Sequence, residues 1–375
     1  MKKKSIIISI LVILVIIIGY FTFSHSSQNA SIKIGAIYPL TGGLASYGEP
    51  SQKAAQLAVD EINASGGING QKLEIDFQDH KCDPKTAVAS LQQLLAQGVK
   101  IFTSAACTGT VLSMEPVLQS NGAVLLGTTI SGAKITGSSP NVFRNWGSDN
   151  DESKLFANLI KNQGYTKVAA IYEETDYAKG LVLGMQNDLS SSSVNVNTES
   201  FQTGATDVRT QLTKLKASNP EVLFISPQTV TSGEIILSQM EELKFRPAHI
   251  FVNDNIIKAT QLLSKHATLL DGALGGDYVV ASSTSLNALL AKYKTKYGED
   301  CPQTNICATV YDTVYILAAA IKNVGYDASA VQKYLHSVNY SGVSGLVSFN
   351  EKNDRNNTIY SLFQVKAGIS VPYQQ

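Results

Sequence analysis

Residues 32–60 read IKIGAIYPLTGGLASYGEPSQKAAQLAVD, and this stretch decides the fold class of the chain. Its apolar start, Ile32–Tyr38, is typical of a buried strand, whereas Ala54, Ala58 and Val59 recur at helical spacing. A proline and several glycines between these two segments mark a tight corner. The stretch therefore predicts a strand, a corner and a helix, which together form the repeating unit of an open α/β sheet.

The corner between this strand and helix favours binding of a small ligand that is not a nucleotide. Its glycines form neither G-x-G-x-x-G nor G-x-x-x-x-G-K-[ST], so a phosphate cradle is not supported. Ser46 and Tyr47 lie instead beside the start of the helix, after the carboxyl end of the strand. Open α/β sheets bind small ligands at that edge. The sequence predicts a binding corner at this point and not a catalytic one.

Strand and helix patterns alternate along most of the chain, which indicates parallel sheets joined by right-handed crossovers. Two sets of such units predict two lobes that face each other across a cleft. We assign residues 31–147 and 277–356 to the first lobe, and residues 148–276 and 357–375 to the second. Each lobe is expected to be an open, mostly parallel sheet flanked by helices. The three connecting segments would form a hinge that permits closure around a ligand.

The first thirty residues carry an export signal. Met1 and three lysines precede an apolar run from Ile6 to Phe23, which is the plan of a secretory signal peptide. The run is nearly long enough to span a bilayer, and no cysteine follows it that could carry a lipid. The chain is therefore predicted to be exported to the periplasm or the cell surface. Residues 1–30 are either a cleaved signal peptide or a membrane anchor through residues 6–23, and the length of the run favours the anchor.

The four cysteines, Cys82, Cys107, Cys301 and Cys307, fit an exported chain with two disulfides. Four cysteines allow three pairings. Cys301 and Cys307 are close in sequence around a proline, which favours a local bridge and leaves Cys82 to pair with Cys107. A zinc site would require C-x2-C spacing or nearby histidines, and neither occurs.

Composition and motifs favour a binding protein over an enzyme. The 30 basic and 30 acidic residues balance, so the chain lacks the charge that a nucleic-acid-binding face requires. The five histidines are scattered, and no G-x-S-x-G elbow is present. We therefore predict no catalytic residue, no metal and no cofactor.

Hydroxyl groups follow two further strands of the first lobe. The loop from Ser104 to Thr110 reads SAACTGT and ends at a helix N-terminus, where Thr108, Thr110 and free backbone N–H groups could bind a carboxylate. The next corner, residues 127–131, reads GTTIS and again places hydroxyl groups after a predicted strand. Each hydroxyl taken alone could equally be a helix cap or a turn former. Three such corners in one lobe favour an anion site.

The second lobe offers acids and a tyrosine at strand ends. Asp176 and Tyr177 follow one predicted strand, and Asp254 follows another. One carboxylate opposite a carboxylate-binding lobe could hold an ammonium group. Asp254 lies in the sequence NDN, however, and could instead shape a turn. Tyr47 and Tyr177 could form the walls of a side-chain pocket.

At these residues the chain resembles the type I periplasmic binding proteins of ABC transporters, in the leucine/isoleucine/valine-binding branch. The similarity covers almost everything from Ile32 to Val365. It is carried by an ordered series of motifs: GAIYPLTGGLASYG, DEINASGGINGQKLEI, DHKCDPKTAV with a downstream AAC, ETDYAKG and ATVYDTVYILAAAI.

The resemblance implies a role for each matching residue. Cys82 and Cys107 match the family's first-lobe disulfide. Thr108 stands where a hydroxyl receives the ligand carboxylate. Ser131 replaces a threonine that meets both the carboxylate and the ammonium, with the backbone carbonyl of Ile130 beside it. Tyr47 stands where an aromatic residue caps the side-chain pocket, and Tyr177 matches a second-lobe tyrosine. Asp254 stands where an acid pairs with the ammonium.

Two departures from the family pattern concern the ligand and the anchor. Gln228 or Thr229 falls where an aromatic residue is common, so a ligand smaller or more polar than a branched aliphatic amino acid is allowed. The Cys301–Cys307 pair and the missing lipid-bearing cysteine are also unlike the family.

The resemblance implies a monomeric, extracytoplasmic solute-binding protein that delivers an amino acid or a related small zwitterion to an ABC permease. The alternative is a membrane-tethered sensory ectodomain of the same fold, which the long N-terminal apolar segment motivates.

Overall fold

The computed structural model describes residues 31–374 and contains two large sheets. The strands of the first sheet are all parallel and lie in the order β2-β1-β3-β4-β5. Their bounds are β1 (Ile32–Tyr38), β2 (Leu73–Asp79), β3 (Ile101–Ala105), β4 (Val124–Thr128) and β5 (Val142–Arg144).

The second sheet has seven strands, and the last two in chain order come from the C-terminal part of the sequence. The remaining strands are β6 (Lys167–Glu173), β7 (Asn195–Phe201), β8 (Val222–Ser226), β9 (His249–Val252), β10 (Leu274–Tyr278), β11 (Tyr340–Gly342), β12 (Gly345–Val347), β13 (Tyr360–Lys366) and β14 (Ile369–Pro372). The sheet order is β14-β13-β10-β9-β8-β6-β7, while β11 and β12 form a separate hairpin. Only β13 and β14 run antiparallel to their neighbours in the seven-stranded sheet.

Helices cover both faces of each sheet. In the first lobe they are α1 (Ala45–Ala64), α2 (Pro84–Ala96) and α3 (Thr108–Ser120), joined later in the chain by α11 to α13. The others are α4 (Asp149–Asn162), α5 (Asp176–Leu189), α6 (Arg209–Ala217), α7 (Val230–Glu242), α8 (Asp254–Ile257), α9 (Thr260–Lys265), α10 (Ala267–Leu270), α11 (Thr284–Tyr297), α12 (Thr304–Val324) and α13 (Ala328–His336). This two-lobed α/β architecture is the predicted fold class.

Local sequence explains where several helices begin. Asp83 caps α2 by accepting a hydrogen bond from the backbone N–H of Thr86 at 2.7 Å, with Pro84 at the first helical position. Thr175 and Thr229 cap α5 and α7 in the same way. Each of these caps lies just after a strand, so each helix starts at the carboxyl edge of its sheet.

The chain passes between the lobes three times, near residues 145–148, 279–283 and 356–359. An aromatic side chain stands at each passage. The ring centroids of Trp146 and Tyr278 are 4.5 Å apart, and those of Tyr278 and Tyr360 are 6.1 Å apart. Gly147 has no side chain because a Cβ there would lie 2.5 Å from the Tyr360 ring. The hinge is therefore a packed aromatic cluster and not three loose strands.

The helix α12 lies at the centre of the first lobe. Within residues 31–374 it is the one helix long and apolar enough, by length and composition, to cross a membrane. Of its most apolar window, 83% is buried inside the molecule, as in the core helix of a soluble domain. Its Asp312 accepts hydrogen bonds from the backbone N–H groups of Val343 and Ser344, at 2.9 and 2.8 Å. These bonds fix the β11–β12 hairpin to the core.

Both favoured disulfides are present, Cys82–Cys107 and Cys301–Cys307. The predicted signal peptide or anchor lies outside the described residues. Strand β10 includes Asp277 and Tyr278, so the second sheet extends past the boundary that we placed after residue 276.

Candidate ligand-binding site between the lobes

Six corners meet between the lobes, each following the carboxyl end of a parallel strand. Three follow β1, β3 and β4 of the first sheet, and three follow β6, β8 and β9 of the second. They enclose a small cavity whose free volume is only about 20 Å³, so the lobes lie almost in contact around it. Its lining residues are Leu44, Tyr47, Ala106, Cys107, Thr108, Thr129, Ser131, Tyr177, Gln228, Asp254 and Asn255.

The corner after β1 places Tyr47 against the opposite lobe. The hydroxyl of Tyr47 donates a hydrogen bond to Asn255 Oδ1 at 2.7 Å. The corner is held closed by Asp79, whose Oδ1 accepts a hydrogen bond from the backbone N–H of Leu40 at 2.9 Å. A Cβ at Gly48 would lie 2.0 Å from the carbonyl oxygen of Pro39, so the helix can approach the strand only with glycine there.

The corner after β3 presents the N-terminus of α3. Ala106 and Cys107 both have φ of 58°, a left-handed conformation that non-glycine residues rarely adopt. The Cys82–Cys107 disulfide and a 2.7 Å hydrogen bond from the Ala106 N–H to Thr129 Oγ1 hold this turn. Thr108 is 2% exposed and opens the helix. The helix N-terminus and this hydroxyl together offer donors to a carboxylate.

The corner after β4 is fixed from behind by Arg144, which is fully buried. Its Nη1 donates to the carbonyl oxygens of Ser131 at 2.7 Å and Gly132 at 3.0 Å, and it lies 3.4 Å from that of Ile130. The N–H of Gly132 also donates to Thr108 Oγ1 at 3.1 Å. The Thr108 hydroxyl and the backbone of the Ser131–Gly132 corner are therefore held together before any ligand arrives.

The second lobe contributes a tyrosine–carboxylate pair. The hydroxyl of Tyr177 donates a short hydrogen bond to Asp254 Oδ1. Burial, followed by the charge of Asp254, raises the pKa of Tyr177 well above its ordinary value, so the tyrosine stays a donor. Lys258 Nζ lies 3.4 Å from Asp254 and 2.9 Å from Asp277. Asp254 is the carboxylate of this lobe that lines the cavity.

Further carboxyls are buried behind Asp254. Burial first, and then the charge of Asp254, raise the pKa of Glu152 well above its ordinary value. Burial is also the main reason that the pKa of Asp149 rises to about 7 and that of Asp277 to about 6. Burial opposes the charged form of Lys258, yet the neighbouring carboxylates, above all Asp277, raise its pKa. The carboxyls of Glu152, Asp149 and Asp277 therefore retain their protons to a higher pH than exposed carboxyls do.

The lobes touch at the rim of the cleft as well. Lys134 of the first lobe pairs with Asp176 of the second at 2.7 Å. A Cβ at Gly43 would lie 3.0 Å from Thr229 Cγ2, across the same cleft. Together with the Tyr47–Asn255 hydrogen bond, these contacts describe a closed arrangement of the two lobes.

Most residues singled out from the sequence lie at this cavity. It is lined by Tyr47, Thr108, Ser131, Tyr177 and Asp254. The side chain of Ile130 points into the first-lobe core, and only its carbonyl oxygen lies near the site.

Other candidate residues have different places. Ser46 is exposed and lines the outer cleft. The Thr110 hydroxyl donates to the Cys107 carbonyl at 2.6 Å, so it bonds back to the first turn of α3 and does not line the cavity. Of the two alternatives at one position, Gln228 lines the cavity and Thr229 caps α7.

Sequence reasoning missed four lining residues: Leu44, Ala106, Thr129 and Asn255. All four lie within the strand-end loops that were identified, next to residues that were chosen. At Ala106 and Thr129 a left-handed backbone conformation determines which residue of the loop faces the cavity. No residue type in these loops predicts that conformation.

The polar groups of the cavity differ between the two lobes. No cluster of three or more His, Cys, Asp or Glu side chains that could hold a metal occurs within residues 31–374. Both cysteines near the cavity are accounted for by a disulfide. Donors for an anion lie on one lobe and acceptors for a cation on the other, which suits a small molecule with both charges.

Comparison with known proteins identifies the class. The profile of the periplasmic binding protein family matches residues 31–369, so the chain belongs to that family. The predicted resemblance is confirmed, and the chain is a solute-binding protein and not an enzyme.

Individual relatives share the fold but differ in what they bind. The chain is 28% identical to "Leu/Ile/Val-binding protein homolog 3" of Brucella melitensis, over 90% of this chain and 92% of the relative. A solved leucine-binding protein from Thermotoga maritima superposes with a TM-score of 0.81 at 22% identity, covering 92% of this chain and 98% of the other. A solute-binding protein from R. palustris, solved with benzoate, gives 0.77 at 15% identity over 92% and 95%.

Proposed function

We propose that this chain is an exported solute-binding protein that captures an amino acid between its lobes and presents it to the permease of an ABC importer. One observation carries the proposal: Thr108 at a helix N-terminus and Asp254 on the opposite lobe line the same buried cavity. The first suits a carboxylate and the second an ammonium group. The name of the Brucella melitensis relative supports branched-chain or related amino acids as the ligand class.

The electrostatics of the cavity favour a zwitterion over a singly charged ligand. A charge buried without a partner costs several kcal/mol. Hydroxyls and backbone N–H groups can satisfy the carboxylate without a formal positive charge. The ammonium group would face Asp254 and, behind it, the other buried carboxyls. Each end of an α-amino acid therefore finds the complementary lobe.

Closure follows from the split of the site between the lobes. The proposed ligand contacts, Tyr47 and Thr108 on one side and Tyr177 and Asp254 on the other, form together only when the cleft is shut. A ligand that binds the closed state better shifts the population toward it. A permease that recognises the closed shape would then receive loaded protein in preference to empty protein.

The assembly and anchoring belong to the same proposal. The lobes comprise residues 31–147 with 279–356 and residues 148–278 with 357–375, which moves the boundary assigned from the sequence to the end of β10, and the working unit is a monomer. Residues 6–23 would tether it to the membrane. If the tether instead joins a sensory system, the gene neighbourhood will encode a kinase or receptor and not a permease and an ATPase.

The test is the substitution Asp254→Asn, measured by isothermal titration calorimetry of the full chain against the twenty amino acids and benzoate. Loss of the buried counter-charge should weaken amino-acid binding at least tenfold, which corresponds to about 1.4 kcal/mol. Asp300→Asn is the matched control because Asp300 is 79% exposed and far from the cavity. Equal affinity of wild type and Asp254→Asn would remove the ammonium site, and binding of benzoate alone would replace the amino-acid proposal.

A further inference from the structure

One polar side chain in the cavity has no partner. The amide of Gln228 lines the cavity and the residue is 9% exposed. Its backbone N–H donates to Glu173 Oε2 at 2.8 Å, but its side chain forms no hydrogen bond with any group in residues 31–374. The amide faces the cavity and would be cut off from water by a bound ligand, so it favours a ligand that brings a hydrogen-bonding group to this position.

The neighbours of Gln228 are already engaged. Asn255 accepts a hydrogen bond from the Tyr47 hydroxyl at 2.7 Å and donates to the Gln228 carbonyl oxygen at 2.9 Å. These bonds hold the backbone of Gln228 in place and join it to the opposite lobe. The Gln228 amide is thus the free polar group on this wall of the described cavity, and the backbone that carries it is held in place.

The rest of the side-chain end of the cavity is small and apolar. Leu44, Ala106 and the disulfide at Cys107 provide this surface. The free volume of the cavity is about 20 Å³, so the lobes must part slightly to admit a ligand, and a short side chain requires the least widening. One amide facing a short apolar wall suits a side chain with a single polar group.

We infer that Gln228 makes this site select an amino acid whose short side chain carries a hydroxyl or a carboxamide. The inference rests on the amino-acid function proposed above and names its ligand class. A valine or leucine side chain would shut the Gln228 amide away from water without a hydrogen bond. A site built to hydrogen-bond a ligand group discriminates strongly against the analogue that lacks it.

Pairs of ligands with the same shape test this selection directly. Threonine and valine differ by a hydroxyl in place of a methyl, and asparagine and leucine differ by a carboxamide in place of an isopropyl group. Calorimetry on the full-length wild-type chain should give dissociation constants at least tenfold lower for threonine than for valine, or for asparagine than for leucine. Gln228→Met keeps the length of the side chain and removes the amide, so the ratio should fall below about threefold. Gln119→Met, at an exposed position on α3, should leave the ratio unchanged.

The outcomes separate this inference from the function on which it rests. Valine and leucine binding wild type as tightly as their polar partners would overturn the selection by Gln228 while leaving an amino-acid-binding protein. An unchanged ratio in Gln228→Met would assign the selection to another residue and overturn the role of the Gln228 amide. Failure of these four while another amino acid binds would overturn this inference, whereas failure of all twenty amino acids to bind would reject the proposed function itself. The wild-type ratio decides the matter even where the Gln228→Met protein folds poorly.

Discussion

Glu152 shows how a buried acid behind the site can contribute to binding without touching the ligand. It is 1% exposed, and its Oε1 has no hydrogen-bond partner within residues 31–374. The nearby carboxyls of Asp254, Asp149 and Asp277 all oppose its ionisation. Such an arrangement is costly in the empty protein, and an ammonium group in the cavity would relieve it. The cost is therefore recovered when the ligand binds.

The substitution Glu152→Gln should stabilise the empty protein at neutral pH. A carboxyl whose folded-state pKa lies above its unfolded value of 4.5 stabilises the fold below that value and loses the contribution as the pH rises. The difference in unfolding free energy between variant and wild type should be near zero at pH 4.5. It should then grow by about 1.4 kcal/mol per pH unit until the folded-state pKa is reached.

Urea titrations at several pH values measure this difference. Glu351→Gln, at an exposed position, should show no such trend. A constant difference between Glu152→Gln and wild type from pH 4.5 to pH 8 would contradict the buried, repelled state of Glu152.

Individual site residues were predictable where their strand ends were recognisable. Tyr47, Thr108 and Asp254 follow clear apolar strands, and parallel strands gather their carboxyl ends at one edge. Asn255 was not predictable, because its role depends on a hydrogen bond to Tyr47 from a different lobe. The free amide of Gln228 was visible only as an unusual residue type. Its lack of a partner is a property of the packed cavity.

At the scale of elements, two disulfides brace different parts of the first lobe. Cys82–Cys107 ties the corner after β2 to the left-handed turn that opens α3. Cys301–Cys307 ties the loop before α12 to the first turns of that helix. The first joins segments 25 residues apart and the second only 6 residues apart. Only the first lies at the ligand cavity.

Replacing each pair by alanine should therefore give unequal losses. Chain-entropy estimates predict about 3.5 kcal/mol for Cys82→Ala with Cys107→Ala, and about 2 kcal/mol for Cys301→Ala with Cys307→Ala. Urea unfolding measures both. Ligand titration adds a second readout, since only the first pair should also weaken binding by releasing the turn at Cys107. Equal effects of the two double substitutions on ligand affinity would contradict the expectation that the Cys82–Cys107 disulfide holds the geometry of the site.

Elements with strong periodicity were predicted, and short or glycine-rich ones were not. The helix α1 begins at Ala45, before the helical repeat becomes recognisable in the sequence. Gly48 and Pro50 lie in its first turns and conceal that repeat. Strand β10 reads LGGDY and carries little strand signal. Its glycines are required by tertiary packing, since a Cβ at Gly275 would lie 2.6 Å from Ile257. Contacts between distant segments, which local sequence does not encode, selected these residues.

For the whole molecule, few of the contacts that close the cleft are strong without a ligand. The Lys134–Asp176 pair is solvent-exposed, with side-chain exposures of 64% and 36%. Exposed ion pairs contribute roughly 0–1 kcal/mol. The Tyr47–Asn255 hydrogen bond is buried but single. The closed form should thus be a minor state of the empty protein and the main state of the loaded one.

Small-angle X-ray scattering tests this expectation. The radius of gyration should fall on addition of a binding amino acid, toward the value calculated from the closed structure. The Asp254→Asn protein, at the same ligand concentration, should keep the larger radius of the empty form. An identical radius with and without a bound ligand would show that capture does not require closure, and that a permease must distinguish loaded protein by other means.

The path of the chain also sets an order of events during secretion. The second-lobe sheet obtains β13 and β14 from residues 360–372, and β13 alone covers the edge of β10. A polypeptide that crosses a membrane from its N-terminus delivers these strands after the rest of the sheet. Until they emerge, β10 is an open edge, and such edges pair with other chains. Completion of the second lobe therefore waits for residues 360–372, and a chain that lacked this hairpin would expose an aggregation-prone edge.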